Sequence, residues 1–153
     1  MTTLADTFER AMRGDASADL RLSRCTPAEI RVAVADLVAR DDLLLADALG
    51  VAALSFYPDH EDILATCALL AEVRQDWAEA DQLLGQMVSA NGMSATATTW
   101  LHWIRVVQCR LQTERAMQLA QLAVHEHPGD VALRESLEHL SDALLEENMT
   151  RRD

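Results

Sequence analysis

Apolar residues recur every three or four positions along almost the whole chain, the spacing that predicts α-helices. Leu4, Phe8, Ala11 and Met12 share one face of a short first helix that stops at Gly14. From Asp15 to Cys25 the chain is polar and without period, and it reads as a linker. Thr26-Pro27 with Glu29 is the strongest start signal. Thr caps, Pro suits the first turn, and an acid three residues on completes a capping box. Pro58-Asp59 predicts a break and a restart, and Asn91-Gly92 a helix end with Gly92 left-handed. Pro128-Gly129-Asp130 is the last break. Beyond it Leu133, Leu137, Leu140 and Leu144 form an apolar stripe, with Glu135, Glu138, Asp142 and Glu146 turned to water.

These breaks are periodic. Pro58 and Gly92 stand 34 residues apart, and Pro128 follows 36 later. Such a period in a helical chain points to helix-turn-helix repeats. The chain divides into units 27–60, 61–94 and 97–130, with Ala95-Thr96 inserted. The fourth place of each unit holds Ile30, Leu64 and Trp100, and the seventh Ala33, Cys67 and Trp103. The twentieth holds Ala46, Ala80 and Ala116, and the twenty-seventh Ala53, Met87 and Ala123. The phrase Gln75-Asp76-Trp77-Ala78-Glu79-Ala80 looks like the inter-helix turn of a known helical repeat family.

On these residues the chain resembles the tetratricopeptide repeat family over about residues 27–130. That pattern has a bulky residue early in the first helix, small Ala places in the second and a closing Pro. The chain departs from it at the eighth place, where a small residue is expected and only Ala68 obeys beside Val34 and Ile104, and at the eleventh, where Leu37, Ala71 and Val107 replace an aromatic. The resemblance implies an all-α array of three units, an N-terminal helix and linker over 1–26, a capping helix over 131–147 and a disordered tail over 148–153. One helix pair cannot bury its own apolar face, so stacked neighbours complete the core. The alternative is a helical bundle without repeats.

Composition agrees. Among 153 residues, 50% are hydrophobic and 25% charged, with 5 Gly and 3 Pro. That is globular, with little material for hairpin turns. The net charge of −12 argues against nucleic acid and anionic lipid, which need a cationic footprint. Met1 to Asp15 has no apolar run and no stretch is long enough to cross a membrane, so a cytoplasmic protein is expected. Cys25, Cys67 and Cys109 would then be reduced, and they form no C-x-x-C pair.

Catalytic signals are weak. His60, His102, His125, His127 and His139 form no metal-ligand phrase, and no phosphate-binding loop or nucleophile elbow occurs. All 13 cations are Arg, which excludes lysine chemistry. Trp77, Trp100 and Trp103 read as core. No enzyme activity, cofactor or metal is expected.

The resemblance also implies a binding groove along the first helices, at the second, fifth, ninth, twelfth and thirteenth places. Carried over, these are Arg31, Ala35, Val38 and Ala39, then Asp62, Ala65, Leu69, Glu72 and Val73, then Thr98, Leu101, Arg105, Gln108 and Cys109. An apolar strip flanked by charge suits a peptide or partner-protein segment with apolar anchors. The Lys and Asn set of chaperone-tail binders is missing. Length, acidity, leading helix and unit count resemble the class II chaperones of type III secretion. A general adaptor or scaffold is the alternative, and a homodimer is left open.

Overall fold

The computed structural model describes residues 1–16, 22–91 and 94–152. Among them are eight α-helices and no strand. The helices are α1 Leu4–Met12, α2 Pro27–Ala39, α3 Leu43–Phe56, α4 Glu61–Val73, α5 Trp77–Asn91, α6 Ala97–Cys109, α7 Thr113–Glu126 and α8 Val131–Thr150. The fold is an all-α, repeat-like array, as the period predicts. It forms two compact units, Met1–Gln75 and Asp76–Asp153.

In the first unit α1 packs on α2, α2 on α3 and α3 on α4, and α2 also lies beside α4. Ile30, Leu37, Leu49, Ile63 and Leu64 are fully buried between them. Gly50 lets α3 approach closely, since a Cβ there would lie 3.1 Å from Leu70 Cδ1. The end of the predicted linker is ordered. Leu22–Arg24 makes a 3₁₀ turn with Leu22 buried, and Tyr57 donates to the Cys25 carbonyl at 2.6 Å. Ser17 to Arg21 of that linker lie outside the described residues.

In the second unit α5 packs on α6, α6 on α7 and α7 on α8, with α6 also touching α8. Trp100, Ile104, Val107, Leu133 and Leu140 are buried in one cluster, with Leu137 packed against it. Helix α8 runs past the expected end at residue 147 and takes in residues 148–150 of the expected tail. α8 continues through Thr150, because no breaker follows Glu147. The Thr150 hydroxyl donates to the carbonyls of Glu146 and Glu147 at 3.2 and 3.0 Å. Thr113 on α7 also donates to Glu147 at 3.1 Å, which holds that end.

The repeat places recur in the burial pattern. Ala46, Ala80 and Ala116 have no exposed surface, and Ala53, Met87 and Ala123 are buried as well. The eighth and eleventh places are buried in all three units, although all but Ala68 depart in residue type.

The turns repeat too. Asp41, Gln75 and Leu111, each at the fifteenth place, have φ of 61°, 61° and 56°. A left-handed residue just past a helix closes a Schellman cap. Asp41 N–H donates to Val38 O at 3.0 Å and Asp42 N–H to Leu37 O at 2.9 Å. Leu111 N–H donates to Gln108 O and Gln112 N–H to Val107 O in the same register. Tyr57 and His127, one residue before Pro58 and Pro128, close α3 and α7 alike by donating to Ala53 O and Ala123 O at 2.9 Å. The predicted capping box of α2 forms: Glu29 N–H donates to Thr26 Oγ1 at 3.2 Å, and Thr26 N–H returns to Glu29 at 2.7 Å. Gly92 lies outside the described residues.

Candidate functional site

Helix α2 presents Arg31, Ala35 and Val38 at spacings of four and three, which places them on one face. Helix α4 presents Asp62, Ala65, Leu69 and Val73 in the same way. In the first unit these seven residues line one cleft of about 410 Å³, together with Val34, Thr66 and Leu70. Its charged residues, Arg31 and Asp62, come from the second turn of α2 and the first turn of α4, and Val38 and Val73 from the last turns. Leu69 is 54% exposed and Val73 53%. The neighbouring Leu64 and Leu70 are buried, so α4 puts leucine on both its core face and its open face. Glu72 does not line this cleft.

The second unit carries a cleft at the equivalent helix places. Leu101, Arg105 and Gln108 of α6 face Ala132, Glu135, Ser136 and His139 of α8 across about 280 Å³. Counted from its first residue, α8 uses the second, fifth, sixth and ninth places, as α4 does. The residues there are mostly polar, and Leu101 is half-buried against the core. Thr98 and Cys109 are exposed, as is Ala39 in the first unit. The expected groove residues thus gather as seven in an apolar cleft of the first unit and three in a polar cleft of the second.

Among the described residues no group of three or more His, Cys, Asp and Glu converges in a metal-like arrangement. No helix there is long and apolar enough to cross a membrane. Cys67 is buried and Cys109 exposed. No protein-family model matches the chain, and no curated protein matches it significantly.

A charged pair of places also repeats along the chain. The fourteenth place of each unit is Arg40, Arg74 or Arg110, and the twenty-first place of the first two is Asp47 or Asp81. In the first unit Arg74 on the turn after α4 pairs with Asp47 on α3. In the second, Arg110 after α6 pairs with Asp81 on α5. Arg40 pairs with Asp6 on α1 at 2.7 Å and with Asp36 at 2.5 Å. The arginine ending one first helix thus anchors the helix before it. Three arginines in register were the available signal.

Asp81 is the most buried of these acids, its side chain 4% exposed. It accepts from Trp103 Nε1 at 2.7 Å and from Arg115 Nη2 at 2.9 Å through Oδ1, and from Arg110 and Arg115 through Oδ2. Burial alone would raise its pKa, but the bonds from Arg115, Trp103 and Arg110 outweigh it and hold the carboxyl below the usual range. Trp103, expected as core, is half-buried and anchored by its N–H. Gly85 makes room for it: a Cβ there would lie 3.1 Å from the indole.

Proposed function

We propose that the protein is a non-enzymatic binding module that holds a peptide or partner-protein segment in the α2–α4 cleft. The supporting observation is Leu69, an apolar residue half open to solvent on the wall of an apolar cleft. Clustered exposed apolar surface rimmed by charge marks interaction sites more often than bare surface does. From Arg31 to Val38 the α2 wall rises about 10 Å at 1.5 Å per residue. That length seats two or three apolar side chains of a helical or short extended segment. Arg31 and Asp62 would orient the segment through its polar groups.

The class II secretion chaperone is the narrower form of this reading, with an apolar export client as partner. Its support is architectural: length, acidity, a leading helix and the number of helix pairs. A general adaptor would use the same cleft for several weaker partners. Stoichiometry and affinity separate the two, since a chaperone holds one client in a stable complex.

Selection from a random peptide library displayed on phage tests the reading. Enriched peptides are expected to carry apolar residues at spacings of three or four and to compete for one site. Enrichment without any apolar pattern, or none at all, would count against it.

A further inference from the structure

Asp81 gathers more cation than anchoring its helix requires. In the first unit the same two places hold one carboxylate and one guanidinium, Asp47 and Arg74. The second unit adds Arg115 from α7 to Arg110, so within this ion-pair cluster two guanidinium charges meet one carboxylate and one positive charge is in surplus, while Glu114 and Glu147 line a second cleft that Arg115 also reaches. The acid lies inside and the cations face out: Asp81 is 4% exposed, Arg110 30% and Arg115 41%. Each guanidinium carries five N–H donors, more than the two oxygens of Asp81 accept. Gln112 holds Arg115 from the side at 3.1 Å. The two arginines open onto a cleft of about 460 Å³ with Gln82 and Trp103 on its wall.

We propose that Arg110 and Arg115 form an oxyanion site that takes a single carboxylate of a peptide. Planar guanidinium forks fixed by a buried acid are preorganised for a second carboxylate, because their rotamer freedom is already lost. The single surplus charge matches a monoanion. A phosphate dianion would leave the cleft negative in a chain whose net charge is already −12. The site shares no residue with the α2–α4 cleft and stands apart from the function proposed for it.

The Trp103 indole N–H, bonded to Asp81, is the reporter. Its ¹H–¹⁵N signal, assigned with Trp103→Phe, is followed while acetate or inorganic phosphate replaces chloride at constant ionic strength. Acetate is expected to shift it saturably. Arg115→Gln, which leaves one guanidinium on Asp81, should weaken acetate at least tenfold. Gln82→Glu puts a competing carboxylate on the cleft wall at an exposed position and should do the same, even if Arg115→Gln folds poorly. Peptides with a free C-terminus, and amidated peptides with an internal Glu, then tell a terminal from a side-chain carboxylate, and saturation by either supports the site. No saturation with acetate, equal affinity in Gln82→Glu, or saturation by phosphate alone overturns the proposal.

Discussion

Replacing Asp81 and Asp47 by alanine compares a buried anchor with a more open one at the same repeat place. Asp81→Ala removes an acceptor of bonds from Trp103, Arg110 and Arg115 at a side chain 4% exposed. Breaking a buried ion pair from one side costs about 3–5 kcal/mol, because the partner charge is stranded. Here the arginines are 30% and 41% exposed and can turn to water, which lowers the figure. The Trp103 N–H, left half-buried without its acceptor, adds roughly 1 kcal/mol or more. We expect about 2–4 kcal/mol for Asp81→Ala. Asp47, 22% exposed and paired with an Arg74 that is 33% exposed, should cost about 0.5–1.5 kcal/mol. The assay is urea unfolding followed by two signals. All three tryptophans, Trp77, Trp100 and Trp103, lie in the second unit, so fluorescence reports that unit and far-UV circular dichroism reports both. Asp81→Ala should move the fluorescence midpoint strongly and Asp47→Ala little. Equal costs, or a larger one for Asp47→Ala, would refute the ranking of these anchors.

Leu111 is 90% exposed and left-handed, so Leu111→Gly sacrifices almost no burial and relieves strain of about 1–2 kcal/mol. The entropy of glycine offsets roughly 0.5–1 kcal/mol, so a rise of a few degrees in melting temperature is expected by calorimetry. Asp41→Gly should gain less, since Asp tolerates that conformation better. For Asp6, hydrogen bonds from Arg40 and then from Thr3 lower the carboxyl pKa to about 2. Its folded pKa lies below the unfolded one, so its stabilisation of α1 is full above pH 4 and is lost as pH falls through about 2. Protection factors of the α1 amides, corrected for the intrinsic pH dependence of exchange, should fall across that window in the wild type and change little in Asp6→Asn.

Much of the fold was legible because breakers are scarce and fall at one period. Thr26, Pro58 and Pro128 mark ends that the structure keeps, and the threefold alanine marks close helix packing. Charge and polarity near Glu147 do not stop a helix without a breaker, so α8 extends to Thr150, beyond the end that its leucine stripe marks. The arginine anchors were unread because their partners lie 27 and 29 residues away, across a turn whose geometry the period does not specify. Helix α4 is apolar nearly all round, so periodicity alone could not tell the exposed Leu69 from the buried Leu64 and Leu70. Leu69 stands on the open face of α4 and on the cleft wall.

The most direct test of the α2–α4 cleft is the affinity of a library-selected peptide for the wild type and for Leu69→Glu, measured by titration calorimetry. Covering the exposed half of Leu69 contributes about 1 kcal/mol, and a carboxylate buried in its place costs more. The account predicts at least tenfold weaker binding, with helicity and melting temperature nearly unchanged because the side chain is 54% exposed. Unchanged affinity in a folded Leu69→Glu, or a variant that no longer folds, would contradict it.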